Sequence, residues 1–275
     1  MKNRASNTRN LLWAVGILLC LVAMLVALIF AMSQKNTGSR ADGTLTLGHI
    51  ERGEKPADVD LAGLESTANK LIPLPETKKG GLEDVFSMTF LLDKTLSGLR
   101  TYVTNYGDGV NAQIWTDDGS GLMAKNAAES PIVFVDGSLI TPSNAAMVTR
   151  PRSVLLYLGG DGLADTTEQE FTDGYTRLIN SIREASPSTN IIVCSIGSIS
   201  SNYQGGDGLS PQLIASANSW IRQVCTDTGA YYADIAAIVN NEQGFLSDEF
   251  LTPDGRSIAA AGIALIVDYL RCHYI

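Results

Sequence analysis

The chain has 275 residues, a formal net charge of −9, 18% charged residues and 45% hydrophobic residues. This is ordinary globular usage with apolar residues enough for one sizeable core, and it excludes a disordered or collagen-like chain. The acidic balance excludes nucleic acid as an expected partner, because phosphate contacts need clustered Lys and Arg.

Residues Leu11 to Met32 hold no charge over roughly 22 positions, enough to cross a hydrocarbon core of ~30 Å. Lys2, Arg4 and Arg9 precede them, so the positive-inside rule places residues 1–10 in the cytoplasm and the bulk of the chain outside. The expectation is a single-pass anchor over 11–32. A cleaved signal peptide is the alternative, but its apolar region runs to only ~7–15 residues. A lipoprotein reading through Cys20 fails because Leu19, not a small residue, precedes it. Residues 33–81 are rich in Gly, Thr, Lys, Glu and Pro without sustained periodicity, and read as a mobile stalk with room for one short element. His49 lies in that stalk and receives no role.

From residue 82 the pattern is globular. Apolar runs at 86–92, 111–115, 153–159, 190–196 and 230–235 read as strands. Helical patterns lie at 95–105, 166–186 and 210–228, with Asp165 to Thr167 and Ser210-Pro211 as start signals, and a last helix is expected over 253–271. Residues 131–141 form two β runs around Asp136-Gly137, a two-residue hairpin turn. Near-continuous apolar strands alternating with helices imply an α/β domain over 82–275 with a mostly parallel, covered sheet.

Cys194 sits in an apolar strand and reads as a small buried hydrophobe. Cys225 and Cys272 fall on expected helices, and their spacing leaves open whether they pair. No Cys/His spacing suits zinc and no cofactor motif stands out; GDGLAD at 160–165 lacks the length and terminal Glu of a calcium loop. Trp115 and Trp220 read as core or crevice-wall residues.

Ligand sites in an open parallel sheet lie outside the carboxyl ends of the strands. The loops there offer Asp93 and Lys94, then Asp117, Asp118 and Gly119, then Gly160, Asp161 and Gly162; Asp248, Asp254 and Gly255 precede the last helix. In the same order the chain shows FLLDKTLSGL, VFVDGSLIT, LLYLGGDGL and PDGRSIAAAGIALIVDYLRCH. These blocks resemble those of the SGNH/GDSL hydrolases, specifically a bacterial membrane-anchored branch, in order and spacing over about 82–275.

The resemblance implies a flavodoxin-like three-layer sandwich at a bacterial cell membrane, with its domain on the extracytoplasmic side. It also implies a Ser nucleophile, an oxyanion hole from the Ser amide, a Gly amide and an Asn, and an Asp and His in the last block. Here the nucleophile position falls on Lys94, after a retained Asp93. The Gly falls on Gly119, the Asn on Asp161, the Asp on Asp254 and the His on Ser257. A second register puts the His on Phe250, and neither register supplies one; His273 matches a tail residue.

Nucleophile and base are therefore both absent, and Asp161 would turn a negative charge toward a developing oxyanion. The expected function is a pseudoenzyme: a binding or scaffolding module for a cell-envelope glycan or protein partner. An esterase or acyltransferase with a rearranged site is the alternative. Lys94 either pairs with Asp161 or Asp254 across the former site or points to solvent. The binding candidates are Lys94, Asp118, Gly119, Gly160, Asp161 and Asp254. Ser138, despite its VDGSL context, reads as a turn residue.

Overall fold

A computed structural model describes residues 70–105, 113–117, 119–134 and 136–275, which lie in one unit, Leu64–Ile275. Among them no helix is long and apolar enough to cross a membrane. The expected anchor over 11–32, His49 and Asp118 lie outside the described residues.

Eight strands are present among the described residues. They are β1 (Ile72–Pro73), β2 (Thr89–Leu92), β3 (Gln113–Trp115), β4 (Ile132–Val133), β5 (Leu139–Ile140), β6 (Ser153–Tyr157), β7 (Asn190–Cys194) and β8 (Tyr231–Ala233). Six form one sheet in the order β1-β8-β7-β6-β2-β3, with every neighbouring pair parallel. Without the short β1, this is the 2-1-3-4-5 order of doubly wound folds. All positions of β2 and β6 are buried, as are Ile191 to Cys194 of β7. Strands covered on both faces need continuous apolar runs rather than alternation, which is what TFLL, SVLLY and IIVC supply.

The helices are α1 (Leu82–Phe86), α2 (Gly98–Thr104), α3 (Pro142–Thr149), α4 (Glu168–Ala185), α5 (Pro211–Thr228), α6 (Ala236–Val239) and α7 (Ala260–Leu270). α3, α4 and α5 pack in sequence as one layer, while α1, α2 and α6 gather on α7. The start signals act as expected. Thr167 and Glu170 form a reciprocal capping box at α4, and the Ser210 hydroxyl accepts the Leu213 amide while Pro211 opens α5. α4 turns Phe171, Tyr175, Leu178, Ile179 and Ile182 to the core.

Three expectations need correction. Residues 71–77 are not all stalk: Ile72–Pro73 pairs with Tyr231–Tyr232, and Leu74 is buried. The hairpin turn is longer than two residues: Phe134 and Ser138 still pair, leaving three between them, with Gly137 at φ 82. The last helix starts at Ala260, not Pro253, because Asp254 and Gly255 (φ 74) make a turn and Leu251 bridges to Ile258. Cys194 is the buried residue expected, and the open question of Cys225 and Cys272 is answered by free thiols at all three positions; burial raises the Cys225 thiol to about 12.

Candidate functional site

The chain crosses from β2 to β3 on one side and returns to β6 on the other, so β2 and β6 flank the point where strand order reverses. Loops at such a point splay apart and leave a crevice. The two loops here carry Asp93-Lys94 and Gly160-Asp161.

Asp93 is fully buried and acts as the clamp between them. Its Oδ2 accepts the amides of Gly159 (3.1 Å) and Gly160 (2.7 Å) from the β6 loop. Its Oδ1 accepts the amide (2.9 Å) and hydroxyl (2.6 Å) of Thr95, capping the turn at Lys94–Leu96. Burial, then the charge of Asp161, push its carboxyl up to about 6 against the pull of these hydrogen bonds. Gly160 must lack a side chain, since a Cβ there would lie 2.7 Å from Thr95 Cγ2 and 3.1 Å from Asp93 Oδ2. Gly160→Ala is therefore expected to destabilise by about 1–3 kcal/mol through overpacking, read by denaturant unfolding.

Lys94 takes the first position of that turn and projects outward, its side chain 61% exposed. Its Nζ nevertheless lies 3.2 Å from Oδ1 of Asp161, whose side chain is only 3% exposed. Arg256 meets the same oxygen at 3.2 Å and donates to the Gly160 carbonyl at 2.9 Å. Through its other terminal nitrogen it reaches Asp207 at 3.0 Å. Tyr203 also donates to Asp207, at 2.8 Å. Partial burial opposes ionisation of Asp207, but the bonds from Tyr203 and the Leu209 amide, with the Arg256 charge, hold its carboxyl below the usual range.

The last block sits beside this cluster because the Ile258 amide donates to the Thr95 carbonyl at 3.0 Å. Asp254, however, turns inward on its own loop. It accepts the hydroxyls of Thr252 and Ser257 and the amides of Arg256 and Ser257. Partial burial works against its charge, yet these donors hold its carboxyl well below the usual range. Lys94 and Asp161 thus meet, while the described bonds of Asp254 stay within residues 252–257. Among the described residues, and its chain neighbours aside, Gly119 has no atom within 4 Å of where its Cβ would stand; a Cβ on Gly121 would lie 3.9 Å from Asp161 Oδ2. Gly121, at φ 93, is the glycine that borders the acid, and Asp117 accepts the amides of both.

Arg256 and Gly121 are the site residues that sequence reasoning missed. The signal for Arg256 was present: a cation stands immediately before Ser257 and two residues after Asp254, in the last of the quoted blocks. His273 lies past the far end of α7, about 16 Å along the helix from its start. It stacks on Tyr269 at 4.0 Å and bonds that residue's carbonyl. Ser138 caps its own turn through Asp136. Trp115 is buried, and Trp220 packs on Phe171 with ring centroids 5.5 Å apart. Among the described residues no group of three or more His, Cys, Asp or Glu is placed to hold a metal ion.

Residues 133–258 match the family model described as GDSL-like lipase/acylhydrolase. That span includes Gly160, Asp161, Asp254 and Ser257 and excludes the Lys94 block. No curated protein sequence matches the chain. Among solved structures, a Streptococcus pneumonia protein provisionally described as a platelet activating factor aligns with TM-score 0.52 at 17% identity, over 69% of this chain and 89% of its own. A carbohydrate esterase family 3 protein from Talaromyces cellulolyticus aligns with TM-score 0.47 at 15% identity, over 67% and 94%. The periplasmic domain of a Salmonella ser. Paratyphi A lipopolysaccharide acetyltransferase gives TM-score 0.45 at 19% identity, over 69% and 82%. The chain thus has an α/β fold shared with the Streptococcus pneumonia protein and carries a match to the GDSL-like lipase/acylhydrolase family model over its residues 133–258.

Proposed function

We propose that this protein is a membrane-anchored, extracytoplasmic SGNH/GDSL hydrolase-like pseudoenzyme that serves as a binding or scaffolding module at the bacterial cell envelope. The observation that carries the reading is the Lys94–Asp161–Arg256 cluster. Lys94 stands where the resemblance calls for a serine, and its ammonium is engaged by a buried carboxylate. Asp161 stands where it calls for an amide donor, and two cations hold it there as an acceptor. An oxyanion needs donors at that point, and a carboxylate repels it.

The rest of the arrangement supports the same reading. Ser257 occupies the base position and donates a hydrogen bond to Asp254, and a serine has no basic nitrogen with which to activate a nucleophile. Membrane anchoring rests on the uncharged segment 11–32 and its basic flank. The envelope glycan or protein partner rests on the family resemblance and that location.

The test is hydrolysis of p-nitrophenyl acetate by the purified full chain in detergent. Turnover is expected to equal the buffer rate and to be unchanged by Lys94→Ala. Hydrolysis well above buffer that this substitution abolishes would sink the pseudoenzyme reading and return the protein to the esterases.

A further inference from the structure

The site already holds an ammonium group on Asp161, and that ammonium belongs to the most exposed member of the cluster. Asp161 is 4% exposed and Arg256 has a side chain only 15% exposed, whereas the Lys94 side chain is 61% exposed. An exposed ion pair on a long flexible side chain holds weakly. Arg256 is fixed at three acceptors: Asp161, the Gly160 carbonyl and Asp207. Of the two cations on Asp161, Lys94 is the one that can leave without disturbing the walls.

Three further observations point the same way. Both cations lie on Oδ1 of Asp161, while Oδ2 is buried and accepts no hydrogen bond among the described residues. A buried carboxylate oxygen without a donor favours any ligand that brings one. The acids gathered here, Asp93, Asp161 and Asp207, outnumber Lys94 and Arg256, so a cationic ligand improves the local charge balance and an anionic one worsens it. Beside Oδ2 stands Gly121, where a Cβ would lie 3.9 Å from that oxygen.

We propose that Asp161 is the floor of a binding subsite for a primary ammonium group, and that Lys94 is a tethered competitor which occupies the subsite until a ligand amine displaces it. This deepens the binding-module reading and rests on it. The ligand class is an amine-bearing small molecule or chain end. The freed Lys94 can then meet an acceptor elsewhere on the same ligand.

The probe follows from the side chain itself. Lys94→Ala keeps Cβ and removes a propylammonium fragment, so n-propylammonium chloride is the matching free ligand. Backbone amide signals of Gly121 and Gly160 are followed by NMR in the full chain in detergent micelles, against sodium chloride at equal ionic strength and against 1-propanol. Lys94→Ala is expected to bind propylammonium saturably and at least fivefold more tightly than the unsubstituted protein. Asp161→Asn, with folding checked by its melting curve, is expected to lose the saturable shift.

Equal or weaker binding in Lys94→Ala overturns the competitor role. A response to 1-propanol as strong as that to propylammonium overturns the ammonium class. Saturable binding that survives in Asp161→Asn overturns the floor assignment. Should Asp161→Asn not fold, the comparison of Lys94→Ala with unsubstituted protein still decides the proposal. Ester hydrolysis measured on the same samples keeps the two ideas separate. Lys94-dependent turnover would defeat the pseudoenzyme reading, whereas absent turnover with no amine binding would defeat this inference alone.

Discussion

Asp93→Ala is expected to destabilise the fold by about 3 kcal/mol at pH 7.5, because it strands four donors that are buried or nearly so. The Gly159 and Gly160 amides and the amide and hydroxyl of Thr95 all converge on this carboxylate. At roughly 2–4 °C per kcal/mol for a domain of this size, the melting temperature should fall by about 10 °C. Asp93→Asn should rescue little, since its amide nitrogen must face either the two glycine amides or Thr95. The pH dependence separates this prediction from simple cavity formation. Asp93 rises on folding from 3.8 to about 6, so its proton-linked contribution to stability is fully present below 3.8 and is lost as pH rises through about 6. The gap between the unsubstituted protein and Asp93→Ala should therefore widen by about 1 kcal/mol between pH 7.5 and pH 5. Urea unfolding at the two pH values reads it directly. A gap that is flat, or that narrows toward pH 5, would show that Asp93 is not held as a costly buried charge.

The same residue shows what was legible in the sequence. Asp93 follows three consecutive apolar residues, Phe90 to Leu92, and a parallel sheet makes the end of such a run a ligand-bearing loop, so both its place and that of Asp161 could be read locally. Thr167, Glu170, Ser210 and Pro211 were legible for a similar reason: a helix cap is decided within three or four residues. β1 was not. Ile72–Pro73 is two residues long and exposed, and only its pairing with Tyr231–Tyr232 makes it a strand. α3 was missed although Thr141 and Pro142 are fair start signals, because SNAA reads equally as turn chemistry. Arg256 was missed because its partners come from two separate loops, at Gly160-Asp161 and at Asp207. Charge pairing between loops is a tertiary fact, and one sequence records only that the charges exist. Gly121 displaced Gly119 for a finer reason: two glycines two positions apart fit the same block, and only the turn held by Asp117 decides which one borders the acid.

Gly174→Ala is expected to destabilise by about 2–4 kcal/mol, against the direction that helix propensity alone predicts. Gly174 lies inside α4, where replacing glycine by alanine ordinarily gains about 1 kcal/mol. A Cβ here, however, would stand 2.4 Å from the Ala124 carbonyl oxygen and 2.5 Å from Lys125 Cα. These are backbone atoms, so relief requires α4 and the turn at Ala124–Asn126 to separate, and overpacking of that kind outweighs the propensity gain. Thr176→Ala on the same helix serves as the control and should change stability by a few tenths of a kcal/mol. The contact also matters to the crevice. Arg177 donates to the Lys125 carbonyl and Lys125 to the Asp165 carbonyl, tying the turn to α4 and to the loop after β6. Met123, next to that turn, fills the space where a Gly162 side chain would stand. Gly121 lies two residues before Met123, so pushing the turn off α4 shifts the wall beside Asp161 Oδ2. Gly174→Ala should therefore move the Gly121 amide signal and weaken propylammonium binding in the Lys94→Ala background, whereas Thr176→Ala leaves both in place. Unchanged stability in Gly174→Ala would mean that the turn yields freely, and the glycine loop could then not be a fixed wall of the site.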